Sequence, residues 1–371
     1  MTEREKLGLM SARAEVWTMG VGLPRLTARL AERAEAAGWD GMLVVDSQNL
    51  AGDPYVGLAT AAGATERLLL GTGVTNPWTR HPAATACAIA SVQGESGGRA
   101  VLGIGRGDSS LAYLGLAPAS VEAFSSYLTL LQTYLRGDAV AFDDARAWGG
   151  DAPPPVDRLG LGAGPGSSRL EWLGFLGDAP KVPVDVAATG PRVIETAARL
   201  ADRVTFAVGA EPERVAWAIE TARRAALVGR VPDAPLSLGA YVNVVVHPDP
   251  AVARELASGS LASFARFSVM HGHSTGPVAD DERAVLESIH HAYDMTAHTR
   301  AGTPQAAAVT ADFADHFAVL GPADHCLRRL RELLDLGLDH LMIIGGSIGA
   351  DRKEVGLAST RFVEEVLPGL R

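Results

Sequence analysis

The sequence predicts an α/β protein, a (β/α)8 TIM barrel with insertions, on three observations. Strand-like and helix-like segments alternate eight times along the 371 residues. Most strand candidates are short, unbroken apolar runs, the pattern of strands buried on both faces of a parallel sheet. Several of these runs end in glycine and polar residues, the composition of loops that build a site at one end of a sheet. A closed barrel accounts for this better than an open doubly wound sheet, which leaves edge strands and usually has fewer repeats.

The elements follow in order. A strand over 16–23 (VWTMGVGL) leads into a helix over 26–37, with Gly38 just past its end, where a left-handed residue is expected. The strand 41–45 (GMLVV) ends at Asp46, and a helix covers 54–64. The strand 68–73 (LLLGTG) breaks into VTNPWTRH before a helix over 82–93 starts at Pro82. The strand 100–104 (AVLGI) runs into a glycine-rich turn and a helix over 120–135. The strand 182–188 precedes a helix over 191–201, whose Pro191 suits a first turn. Strands over 204–208, 236–246 and 340–344 complete the eight, with helices over 212–227, 323–336 and 352–367, and Gly337 as a second helix-end glycine. Two connections exceed ordinary loop length: 137–181, rich in Pro and Gly, and 247–321, which is expected to hold extra helices. They read as insertions, lids and substrate walls on a single domain spanning 1–371.

Composition narrows the function classes. Apolar residues make up 47% and charged residues 20% of the chain, enough for a deep core and too apolar for extended disorder. A formal charge of −10 offers no cationic face for a phosphate backbone, so nucleic acid is not an expected partner. Cys87 and Cys326 lie on separate predicted helices without metal-ligand spacing, so neither a disulfide framework nor a zinc site is expected. The beginning, MTEREKLGLMSARAEVW, has no apolar run long enough for a signal peptide, and no later segment sustains a membrane span. A cytoplasmic protein with a small-molecule substrate is the expectation.

The chemistry-bearing residues gather at strand ends. Asp46 is a carboxylate delivered by a buried strand, or simply a loop-starting Asp. GIGRGD, from Gly103 to Asp108, follows a strand, but its third glycine is misplaced for a dinucleotide fingerprint. It reads instead as a loop that lets a flat ligand approach backbone at Gly107. Asp108 is then a hydrogen-bonding acid or base, or a solvated turn residue. At Ala187-Ala188-Thr189-Gly190-Pro191 a strand passes into a helix. Thr189 can cap that helix, and the exposed N–H groups can take a phosphate. Arg80 and His81 could meet an anionic ligand, or Arg80 could pair with a surface acid. His271, His273, His290, His291 and His298 cluster without a recognised metal-ligand pattern and read as a solvated or substrate-facing loop, with no metal assigned.

These segments together resemble the bacterial-luciferase-like superfamily of flavin and deazaflavin oxidoreductases. The resemblance is strongest to the coenzyme F420-dependent branch, to enzymes similar to methylenetetrahydromethanopterin reductase. It is carried by GTGVTNPWTRHPA from Gly71, GIGRGDS from Gly103, AATGPR from Ala187, FAVGAEPE from Phe206 and VLGP from Val319. The resemblance implies a non-proline cis peptide at Gly73-Val74 backing the deazaflavin ring. It also implies cofactor contacts at Asp46, Ser47, Thr75, Asn76 and Asp108, and a phosphate-bearing tail at Ala188, Thr189 and Gly190. Some relatives place a catalytic His directly after the strand-2 acid, where this chain has Ser47, which argues against a sugar-phosphate dehydrogenase-like mechanism using that His. The implied function is F420-dependent hydride transfer to or from a small organic substrate, with Asp108 and Asp46 as the catalytic pair and a homodimer as the assembly. A second reading is an FMN-dependent luciferase-like monooxygenase on the same barrel, and a third, ranked below both, is a non-catalytic flavin or F420 carrier.

Overall fold

The computed structural model describes residues 13–147 and 154–371, with backbone only at 146 and 147. The expected absence of a leader at 1–12, and residues 148–153 of the first insertion, lie outside the described residues. The chain begins with β1 (Glu15–Gly20), α1 (Thr27–Ala36), β2 (Gly41–Val44), α2 (Pro54–Ala64), β3 (Leu69–Thr72), α3 (Pro82–Glu95) and β4 (Ala100–Ile104). There follow α4 (Ser109–Ala112), α5 (Val121–Leu135), α6 (Phe142–Ala147), β5 (Val184–Ala188), α7 (Pro191–Leu200), β6 (Arg203–Phe206) and α8 (Pro212–Gly229). The remainder comprises β7 (Ser237–Val246), α9 (Pro250–Phe267), α10 (Asp280–Ala292), α11 (Pro304–Ala307), α12 (Ala311–Phe317), β8 (Val319–Gly321), α13 (Ala323–Asp335), β9 (His340–Ile344) and α14 (Arg352–Arg361).

The strand order β6-β5-β4-β3-β2-β1-β9-β7, with β6 also paired to β7, closes a ring of eight strands, so the fold is a (β/α)8 barrel surrounded by helices. β1 pairs in parallel with β9, Val16 facing Leu341, and β3 pairs in parallel with β4, Leu70 facing Ala100. The unbroken apolar runs are buried at every position in β2, β4 and β9. Such strands are covered on both faces, which is why they lack the alternation of a half-exposed strand. By residue contacts the chain divides into two compact units, one of Gly20–Glu32 with Leu43–Asp185 and the other of Arg33–Met42, Val186–Arg371 and the residues up to Met19.

In the second of these units the amino ends of the strands are filled by large side chains seated against glycines. A Cβ on Gly41 would fall 2.3 Å from the Trp17 ring, and one on Gly239 would fall 2.1 Å from the His340 ring. His340 is fully buried, with Nε2 2.8 Å from the Thr205 hydroxyl and Nδ1 3.3 Å from that of Ser237. Burial, and then the positive charge of Arg203, hold its imidazole well below the ordinary histidine range, so it is neutral at pH 7. This end of the barrel is structural, which leaves function to the carboxyl ends.

Two stretches lie outside the regular alternation of strands and helices among the described residues, within 137–181 and within 247–321. The first contains α6, and the second holds α9 to α12 together with β8, which pairs with the end of β7 from Val244 to Val246. The Ser347 hydroxyl accepts from Gly259 N at 2.9 Å and Ser260 N at 3.0 Å, tying the loop after β9 to the middle of α9. No helix among the described residues is long and apolar enough to cross a membrane.

Candidate active site

The rim is built outward from the end of β3. The Gly73-Val74 peptide is cis, and Gly73 N–H donates to Val44 O at 2.8 Å. Beyond it, Thr75 N–H donates to Gly103 O at 3.0 Å and Gly105 N–H donates to Thr75 O at 2.9 Å, so pairing with β4 resumes after the bulge. The Thr72 hydroxyl donates to the same Gly103 carbonyl at 2.6 Å. A Cβ on Gly103 would lie 2.0 Å from Thr72 O, so only glycine lets the two backbones approach this closely. Gly107 has φ +96°, and a Cβ there would meet Leu111 at 2.3 Å. Gly73, Val74 and Gly107, all partly exposed, make the backbone shelf at this end of β3 and β4, and Gly103 is buried.

Beside that shelf stands a group of incomplete polar atoms. Asp46, two residues past β2, is 7% exposed. Burial pushes its carboxyl above the usual carboxylate range, against the opposing influence of Thr75 and Arg80 and with a smaller push from Asp53. Its Oδ2, the Tyr55 hydroxyl and the Thr75 hydroxyl are all buried and complete no hydrogen bond among the described residues. Thr75 is near enough to favour the charged forms of both Asp46 and Tyr55, yet no pair among the three atoms reaches hydrogen-bond geometry. Each buried polar group left in this state costs about 1–3 kcal/mol, and folded proteins hold few of them. Three at one place fit a polar heterocycle whose own donors and acceptors complete them. Arg80, by contrast, pairs with Asp53 and lies 4.9 Å from the centre of the Tyr55 ring, which realises the surface-pair alternative of the sequence reading. His81 caps α3, its Nδ1 accepting from Ala83 N at 3.1 Å while Nε2 lies 3.0 Å from Ala145 O, an arrangement that requires the Nε2–H tautomer.

The loop after β2 is stitched to α4. The Ser47 and Ser109 hydroxyls are 3.3 Å apart, Gln48 Nε2 donates to Ser110 O at 2.7 Å, and Asn49 Nδ2 donates to Tyr113 O at 3.2 Å. Asn76 serves the same framework: its Nδ2 donates to Ser110 Oγ at 3.2 Å, and its Oδ1 accepts from Trp78 N and Thr79 N. Asp108 precedes α4, half-buried, and its carbonyl accepts from Leu111 N and Ala112 N. The start of α4, next to this acid, is therefore held by both the loop after β2 and Asn76.

The family model described as luciferase-like monooxygenase matches residues 9–340. The chain belongs to this family. Among named relatives, it is similar to a 5,10-methylenetetrahydromethanopterin reductase of Archaeoglobus fulgidus, at 29% identity over 345 residues, covering 91% of this chain and 93% of that protein. A protein of the same name from Methanolobus tindarius is 27% identical over 333 residues, covering 88% of this chain and 92% of its own length. The solved coenzyme F420-dependent tetrahydromethanopterin reductase of Methanopyrus kandleri shares the fold, with a TM-score of 0.69 at 23% identity, covering 97% of this chain and all of that one.

Within this luciferase-like chain, one unit brings together Asp46, Ser47, Gly73, Val74, Thr75, Asn76, Gly107 and Asp108. Ala187, Ala188, Thr189, Gly190 and Pro191 stand in the other unit, at the end of β5 and the start of α7. There the expectation that Thr189 caps the helix is corrected. The cap position falls on Gly190, which has no side chain to bond with, and the Thr189 hydroxyl instead donates to Ala207 O at 3.3 Å. Of the histidines, His290 and His291 end α10 with rings 5.6 Å apart, and His298 Nδ1 lies 2.6 Å from the Tyr293 hydroxyl. Among the described residues, no three His, Cys, Asp or Glu side chains are grouped so as to hold a metal ion. The residue that sequence reasoning missed is Tyr55. Its position at the second residue of a helix carries no chemical signal, and only the fold brings it to Asp46 and Thr75.

Proposed function

We infer that this protein is a coenzyme F420-dependent oxidoreductase that transfers a hydride between the deazaflavin and a small organic substrate. The observation that carries the reading is the set of buried, incomplete polar atoms beside a backbone shelf at the strand ends, in a chain whose near full-length relatives are named as methylenetetrahydromethanopterin reductases. When bound, the deazaflavin would supply the carbon that gives or takes the hydride. The protein's part is placement. Gly73, Val74 and Gly107 leave room for a flat ring against backbone, while Asp46 and Thr75 engage its polar edge. Ser47 and Asn76 keep the surrounding loops in register with α4, and Asp108 holds or releases a proton near the reacting centre. In the other unit, taken by itself, the stretch from Ala188 to Pro191 leads into α7 with backbone N–H groups suited to a negatively charged group.

Titration of the apoprotein with F420 and with FMN tests the cofactor. Tight binding of F420 with weak binding of FMN is expected, and the reverse preference would turn the reading into that of a flavin monooxygenase. Asp108→Asn tests the proton role. Its expected result is F420 affinity within about threefold of wild type and single-turnover reduction of the substrate slowed by about 10²-fold or more. An unchanged single-turnover rate would remove Asp108 from the chemistry.

A further inference from the structure

Tyr55, the second residue of α2, is 6% exposed, and its hydroxyl is buried without a hydrogen-bond partner among the described residues. A buried tyrosine ordinarily finds a partner for its hydroxyl. The groups around this one are the Asp46 carboxyl, the Thr75 and Tyr127 hydroxyls and the Arg80 guanidinium, and the first two of these each have an atom in the same condition. The ring is not free to turn elsewhere. The Arg80 guanidinium lies 4.9 Å from its centroid, and Asp53 pins the helix start by accepting from Tyr55 N at 2.9 Å and from Val56 N at 3.2 Å. Burial, followed by the charge of Asp46, keeps the phenol protonated well above neutral pH, so the group is a donor.

We propose that the Tyr55 hydroxyl joins Asp46 and Thr75 in a three-point cradle for the imide edge of the bound redox ring, with Tyr55 donating to one of the ring carbonyls. An imide edge presents a carbonyl, an N–H and a second carbonyl, so it requires two donors and one acceptor. Two hydroxyls and one carboxylate meet that requirement in kind and number. The three groups come from three separate segments, the turn after β2, the first turn of α2 and the bulge after β3, so the cradle exists only in the assembled fold. This inference rests on the proposed function. It deepens that reading by assigning a ring contact to a residue outside the motifs that carry the family resemblance.

The test compares Tyr55→Phe with wild type by two measurements, F420 binding read from the ligand's own fluorescence and thermal melting of the apoprotein. The expected result is F420 affinity weakened about tenfold, with the apoprotein melting at the same or a higher temperature, because the hydroxyl removed has no partner to lose. Tyr127→Phe is the contrasting variant. The Tyr127 hydroxyl is 2.6 Å from that of Thr85, so its loss should lower the melting temperature and leave F420 affinity in place. Wild-type protein that binds neither F420 nor FMN would overturn the functional reading and the cradle together. Wild type that binds F420 no better than Tyr55→Phe would overturn the cradle alone. So would a Tyr55→Phe apoprotein that melts lower with unchanged affinity, since the phenol would then be a structural group satisfied by water.

Discussion

Gly103→Ala is expected to abolish measurable F420 binding and to lower the melting temperature by roughly 4 °C. The added Cβ would lie 2.0 Å from Thr72 O and 3.2 Å from the Thr72 carbonyl carbon. Those are backbone atoms, so no side-chain rotation relieves the contact. The strand end must move, and with it the Gly103 carbonyl that accepts from both the Thr72 hydroxyl and Thr75 N–H. Overpacking a tight site costs about 1–3 kcal/mol, and each of those bonds contributes about 1 kcal/mol, so a loss on the order of 3 kcal/mol follows. The displaced segment is the shelf itself, and binding geometry fails before the barrel does. Gly63→Ala supplies the contrast: a Cβ at that helical position meets nothing within 4 Å, so the substitution should leave F420 affinity unchanged and raise stability by about 0.5–1 kcal/mol. Thermal melts and fluorescence titrations of both variants decide the matter. A Gly103→Ala protein that melts and binds like wild type would show that the close approach of β3 and β4 does not matter to the site.

The barrel was legible because its strands are buried on both faces and therefore appear as uninterrupted apolar runs. β4 and β9 fall at the residues that the runs mark, and Gly38 and Gly337 have the positive φ expected past a helix end, +87° and +103°. Two local features were not legible. β8 is only three residues, Val319–Gly321, too short to display any period, and it exists because the end of β7 offers it a parallel edge. The helix expected over 352–367 instead ends at Arg361, and the chain widens through Phe362–Val366 before a tight turn at Leu367–Leu370, where Pro368 cannot continue the hydrogen-bond ladder. Of the proposed site residues, Asp46 and Asp108 could be picked out from strand ends alone. The cis peptide at Gly73-Val74 was reached only through resemblance, since nothing in Gly-Val dictates it. Tyr55 was missed for a third reason. Its importance lies in an unmet hydrogen bond, which is a property of its surroundings.

Asp46→Asn is expected to move stability and affinity in opposite directions. The wild-type carboxyl is buried, one of its oxygens has no hydrogen-bond partner among the described residues, and its folded-state pKa lies above the ordinary value of 3.8. Between that ordinary value and the raised one, the folded chain binds more protons than the unfolded chain, so stability falls as pH rises through the window and stays reduced above it. Asparagine carries no charge to desolvate, so the apoprotein variant should be more stable than wild type at neutral pH, by on the order of 1 kcal/mol. The difference should shrink as pH falls through the raised pKa and be lost near the ordinary one. The bound ring, however, would lose a charged acceptor for its N–H, a bond worth about 1.5–3 kcal/mol, so F420 affinity should drop about 10- to 100-fold. Apoprotein melts from about pH 4 to about pH 8, set beside F420 titrations at neutral pH, separate the two effects. A variant that melts lower than wild type at neutral pH would mean that Asp46 is a paired structural acid. A variant that melts higher but binds F420 unchanged would mean that the ring edge lies elsewhere. Only the opposed pair of changes fits a carboxylate kept at a standing cost to the empty fold because the ligand completes it.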